Sequence, residues 1–501
     1  MYRKKFFFIV ILFLSLFTAC SDNNALNTAH NIYINSQQDS FVEGSTHIIS
    51  FDLNDTIVND LQFEAEFSFN NNSHLESFII NAGQRSVTKS IEIESNATLH
   101  RNRDYTIQIV SINNESIIDN MITIPVLDYT IDTIQQDNRS YKKMSYYVSD
   151  SYDTNIPVNA WIHLPESFPT TPPKGVILIW HGSIHDTDVE FSEHSLNFLT
   201  SDDPDFEALI EDYVVIEPFY IGHGASKLTH YQRLWMIDSV KYEGDTILNL
   251  VYAHIQNSVD SHFNIPLYQI GWSQGGQNAF SYHMEFNNNQ KLQTMFDLKH
   301  TYASAGPYRA DLHINIISDY EQSFIDNDDV ANSYSEDLYP HMKLFGNAAL
   351  ALFIYTYQNF YGPLQNIDFV SGYELPQTQG IDDYSFISIY MDKTSELLRR
   401  IPLSNAEMKP FFLTDTSWNR LLDQNTNEYV QLTDFIKDTL VDHRFNGQFQ
   451  NNQYPITLIS FDNDVVLSEH ANGFEPFPYL TIDHTENTDP TNILNNENIE
   501  F

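Results

Sequence analysis

The sequence holds a single cysteine, Cys20, among its 501 residues. No disulfide can form within the chain, so its stability rests on packing. Basic residues are scarce as well: Lys and Arg number 25 against 67 Asp and Glu, a formal net charge of −42. Such a field repels nucleic acid and anionic membrane surfaces and argues against polyphosphate substrates. Glycine is also rare, at 17 residues. The grouping of Gly271, Gly275 and Gly276 in one short window therefore marks a backbone with special demands. What is plentiful is apolar and aromatic surface, 42% and 14% of the residues, which excludes a disordered chain. The length suits roughly two or three domains.

Arg3, Lys4 and Lys5 precede an apolar run from Phe6 to Phe17, followed by Thr18-Ala19-Cys20. A charged start, a short apolar centre and a small-residue end form a secretory signal, too short to span a membrane comfortably. Phe17-Thr18-Ala19-Cys20 resembles a bacterial lipobox. The resemblance implies that residues 1–19 are removed and that the Cys20 thiol is lipidated. It further implies an extracytoplasmic protein anchored in the cell envelope, at the outer membrane or cell surface. Residues 20–38 are polar and read as a flexible tether.

Between 39 and 127 the apolar period is two. His47-Ile48-Ile49-Ser50-Phe51-Asp52-Leu53, Gln62 to Phe69, Ser90 to Glu94 and Tyr105 to Val110 alternate, with Asn, Asp and Gly between them. The pattern predicts a small all-β sandwich. Val42-Glu43-Gly44, Asn81 to Ser86 and Arg103-Asp104-Tyr105 are similar to the skeleton of a Calx-β domain. Domains of that kind can bind calcium, but Glu43 and Asp52 alone do not make a site. The segment reads as a spacer.

From 128 to 501 the signals alternate between strand and helix, which predicts a mostly parallel α/β sheet. Ser145 to Val148 and Val158 to Pro165 read as paired antiparallel strands at a sheet edge. Gly175 to Trp180 is continuously apolar, as befits a central strand covered on both faces. Tyr213 to Pro218 is the next strand, and Asp238 to His254 an amphipathic helix. Pro266 to Ile270 then leads through Gly271-Trp272-Ser273-Gln274-Gly275-Gly276 into a helix from Gln277 to Phe286. This strand–turn–helix setting gives G-x-S-x-G its meaning as a nucleophile elbow, with Ser273 as the nucleophile. Residues 309–450 form an insertion. Leu344 to Tyr361, apolar and aromatic at helical spacing, predicts a helical cap over a site, a helix packed on the sheet, or both.

"VILIWHG", "YVVIEPFYIGHGAS", "GWSQGGQNA" and "YASAGPY" stand in the order seen in the α/β-hydrolase superfamily, and the chain resembles its secreted lipase and esterase branch. The resemblance implies a serine hydrolase that cleaves carboxylic esters through an acyl-enzyme, without metal or organic cofactor. Its acid and base follow the nucleophile in chain order. Pro455 to Phe461 reads as a core strand, so the acid falls at Asp464 or, two residues earlier, at Asp462. Pro478 to Asp483 reads as the last strand, with His484 at its end as the base. Oxyanion donors are the backbone N–H of Gln274 and one at Gly182 or Ser183. His181, His185 and Asp186 could imitate a zinc site, but the His-Gly context accounts for His181 without metal. Other readings stay open: a peptidase or carbohydrate esterase on the same fold, or a surface binding protein keeping only the shell.

Overall fold

The structure is a computed structural model. It describes residues 31–95, 98–113, 115–116, 120–136, 139–182, 211–226, 236–259, 264–304, 306, 350–351, 353–358, 360–369, 413–440, 452–461 and 480–485. The signal, Cys20, Ser183, His185, Asp186, Asp462 and Asp464 lie outside these residues.

The N-terminal strands are β1 (Ile32–Ser36), β2 (Phe41–Val42), β3 (Thr46–Leu53), β4 (Leu61–Phe69), β5 (Asn72–Ile80), β6 (Ser86–Glu92), β7 (Arg103–Ile112), β8 (Glu115–Ser116) and β9 (Met121–Leu127). They form a three-stranded sheet, β1-β3-β6, and a six-stranded sheet whose main path is β2-β9-β7-β4-β5. Ile32, Ile49 and Phe51 from the first meet Phe63, Phe67, Ile107 and Ile124 from the second in one buried core. Alternation explains this: in β4 Leu61, Phe63, Ala65 and Phe67 face in while Gln62, Glu64 and Glu66 face away. β1 falls inside the expected tether, so ordered structure begins earlier than composition indicates. Its two buried isoleucines, Ile32 and Ile34, pair it to β3 in a segment otherwise polar.

The larger sheet adds β10 (Tyr129–Gln136), β11 (Arg139–Val148), β12 (Ile156–His163), β13 (Gly175–Trp180), β14 (Tyr213–Pro218), β15 (Ile265–Trp272), β16 (Phe296–Ser304), β17 (Ile456–Phe461) and β18 (Leu480–Thr485). Its order is β10-β11-β12-β14-β13-β15-β16-β17-β18. Every pairing from β14 to β18 is parallel, and the β10-β11-β12-β14 pairings are antiparallel. This is a mixed α/β architecture with a parallel-rich sheet. The expected antiparallel pair, β11 and β12, stands one strand in from the edge, because β10 adds a further strand outside β11. All six residues of β13 are buried.

The described helices include α1 (Ile237–Val259), α2 (Gln274–Asn288), α3 (Gln290–Met295), α4 (Asp415–Leu422) and α5 (Asn427–Leu440). Val240, Ile247, Leu248 and Val251 of α1 and Ala279, Phe280 and Tyr282 of α2 close the core over β13 and β15. Within the 309–450 insertion the chain is helical at 350–361 (residues 352 and 359 excepted) and in α4 and α5. Leu350, Ile354, Tyr355, Trp418, Leu432 and Ile436 share a second core there.

Candidate functional site

Parallel strands carry their C-terminal ends to one edge, where ligands of open α/β sheets gather. At that edge β15 runs without a loop into α2, and Ser273 takes the whole turn. Its φ of 53° and ψ of −125° lie where a non-glycine residue is strained, by about 1–3 kcal/mol. The surroundings impose this geometry. The Ser273 N–H donates to the Ser304 carbonyl at the end of β16, 2.9 Å away. A Cβ on Gly271 would collide with the Gly275 carbonyl, one on Gly275 with the Trp180 carbonyl, and one on Gly276 with the Ser304 carbonyl. The helix therefore presses directly on three strands, which only glycine permits. It begins at Gln274, three residues before the periodicity indicates, since the elbow glycines hide the helical pattern.

Serine is among the favoured residues for capping a helix N-terminus. Ser273 occupies that position yet makes no side-chain capping bond. The residue is only partly buried, and α2 directs its positive N-terminal end at the same place.

Gly182, just beyond β13, is the neighbour on one side. A Cβ there would stand 3.4 Å from the Ser273 Cβ and 2.9 Å from Trp272 Nε1. Gly182 and Gln274, two of the residues expected to supply oxyanion donors, thus both adjoin Ser273. His181 lies beneath, 2% exposed, with its ring stacked on Tyr220 at 4.1 Å between centroids. Its Nδ1 is 2.6 Å from the Gly182 carbonyl, and its Nε2 has no partner among the described residues. Burial pushes its pKa down to about 4, against the pull of that carbonyl, so the ring is neutral at physiological pH. Tyr220, in the turn after β14, donates its hydroxyl to the His181 carbonyl.

Asp462 and Asp464 follow Phe461, the last residue of β17, and lie outside the described residues. His484 sits within β18, opposite Ser460, because parallel pairing with β17 continues to Thr485. The last strand therefore runs two residues past its expected end. Trp272, Ser304, Ile459 and Asp483 occupy one row across β15, β16, β17 and β18. Ser273 and His484 each stand one residue beyond that row, three strand spacings apart, about 14 Å between backbones in a flat sheet.

A second cluster lies where the N-terminal strands meet the larger sheet. Glu43, His100 and Asp128 each offer an atom within 4.8 Å of the others, the spacing of a metal site. The Arg103 guanidinium, however, contacts the Glu43 carboxylate directly, and His100 Nδ1 is 3.3 Å from Asp128. Each of the two buried carboxylates already has a side-chain partner, Arg103 for Glu43 and His100 for Asp128. On sequence alone Glu43 and Asp52 are too little for a calcium site, and Arg103 carries no sign of a pairing with Glu43; the two are distant in sequence and adjacent in space.

No family model matches the sequence, and no curated protein matches it. Among solved structures, the rice cell wall degrading esterase LipA from Xanthomonas oryzae aligns at a TM-score of 0.48 and 16% identity, over 70% of this chain and 84% of that one. A Legionella pneumophila structure described as a hydrolase aligns at 0.46 and 15%, over 72% and 84%. The apo form of the Calx CBD1 domain aligns at 0.17 and 10%, over 19% of this chain and 96% of that one. These are similarities of chain path at low identity, and the chemistry of the site rests on its own residues.

Proposed function

We propose that this chain is a serine hydrolase that cleaves carboxylic esters through an acyl-enzyme on Ser273. The observation that carries the reading is the uncapped, strained serine at the β15–α2 turn. Folding holds it at positive φ, at a site where a relaxed serine would instead cap the helix. The hydroxyl attacks the ester carbonyl carbon while His484 takes its proton. The N–H groups of Gln274 and of Gly182 or Ser183 hold the oxyanion. Collapse expels the alcohol, which receives the proton from His484. Water, deprotonated by the same imidazole, then releases the acid. Asp464 or Asp462 orients the imidazole and stabilises its charged form. No metal or organic cofactor takes part.

In this reading the helical insertion roofs the site, lipidated Cys20 ties the protein to the outer membrane or cell surface, and the N-terminal sandwich is a Calx-β-like spacer. Ser273→Ala tests the chemistry. Turnover of p-nitrophenyl esters disappears while the melting temperature holds, and unchanged turnover rejects the proposal. A panel of short acyl esters, acetylated glycans and peptides separates an ester hydrolase from a glycan esterase or peptidase.

A further inference from the structure

We infer that Tyr220 is a positioning residue that locks the two halves of the oxyanion hole together; this rests on the serine hydrolase reading above. The two donors come from different elements, Gly182 from the end of β13 and Gln274 from the start of α2. The Tyr220 hydroxyl touches both. It donates to the carbonyl of His181 and accepts from the side-chain amide of Asn278, four residues into α2. A trans peptide points its C=O and N–H in opposite directions. Fixing the His181 carbonyl therefore fixes the Gly182 N–H, which belongs to the same peptide, on the far side from Tyr220. Tyr220 is itself held rigidly. It is 2% exposed, stacked on the His181 ring, and followed by Ile221, whose N–H donates to Glu243 Oε1 of α1 at 2.6 Å. Gly222 N–H to Ser226 Oγ at 2.9 Å and Ser226 Oγ to the His223 carbonyl at 3.0 Å tighten the same turn. Burial, chiefly, with the nearby Glu217 charge holds the phenol pKa well above its ordinary value, so the hydroxyl remains a donor.

An oxyanion donor acts only in the transition state, so misdirecting it lowers kcat and spares KM. The test is Tyr220→Phe in the full chain, assayed on p-nitrophenyl butyrate, with fluorophosphonate labelling of Ser273 and inhibition by a trifluoromethyl ketone. The expected result is a kcat about 10–100-fold lower with KM within about twofold, full final labelling, and ketone affinity reduced in parallel with kcat/KM. A folded variant with unchanged kcat overturns the inference, as does a loss confined to KM. Asn278→Ala keeps the test decisive should Tyr220→Phe fail to fold. It is expected to lower kcat several-fold by freeing the hydroxyl from α2, and an unchanged kcat overturns the inference equally. Wild-type protein that neither turns over ester nor takes the label removes the serine hydrolase reading, and this inference with it.

Discussion

The backbone N–H of Ser273 donates to the carbonyl of Ser304 at 2.9 Å, binding the turn between strand and helix to the end of the neighbouring strand. This bond and the three glycine contacts around it store strain at one residue. The rest of the sheet supports it.

Gly275 is where that support is tightest. Its Cα faces the carbonyl oxygens of Trp180 and His181 with no room for a methyl group, and backbone cannot give way as a flexible side chain can. Gly275→Ala is expected to lower the melting temperature by about 5 °C or more and to abolish fluorophosphonate labelling of whatever protein stays folded. Calorimetry with in-gel labelling measures both.

Asp245 sets a pH dependence away from the site. Burial raises its pKa to about 7, and the Glu285 and Asp39 charges add to this, against the Tyr282 and Asn289 hydrogen bonds that favour the carboxylate. The folded state holds this proton more tightly than the unfolded chain. Its stabilising share is complete below about pH 4 and is lost as pH rises through 7. Asp245→Asn removes the titration, so its stability relative to wild type should improve by about 1–2 kcal/mol between pH 4 and pH 8. Urea unfolding at both pH values measures the difference. A gap that does not change with pH contradicts the assignment.

Much of this fold was legible in the sequence because its signals are local. Period-two alternation marks β3, β4 and β7, and the unbroken apolar run marks β13. The glycine spacing around Ser273 reveals the elbow, since only a close backbone approach asks for Gly at those positions. Other features escaped because their cause is not local. β1 exists through pairing with β3, and β18 extends to Thr485 through pairing with β17. The clamp from Tyr220 to His181 joins residues 39 apart in sequence, and nothing in the composition of either segment announces it. Chain order could nominate Asp464, Asp462 and His484, but it carries no distances.

The acid and base separate by substitution. His484→Ala should reduce kcat by at least about 10³-fold. Of Asp464→Asn and Asp462→Asn, one should do nearly as much while the other stays close to wild type. In the wild type, activity should fall below about pH 6–7 as the imidazole takes up a proton. Stopped-time assays across pH 5–9 on these variants measure all of this. Full activity in His484→Ala would assign the base elsewhere.

The most direct measurement is peptide mass spectrometry of the native protein after reaction with a fluorophosphonate probe. The account predicts one stoichiometric adduct, on Ser273, that heat-denatured protein does not form. No adduct on folded protein, or an adduct on another serine, would contradict it.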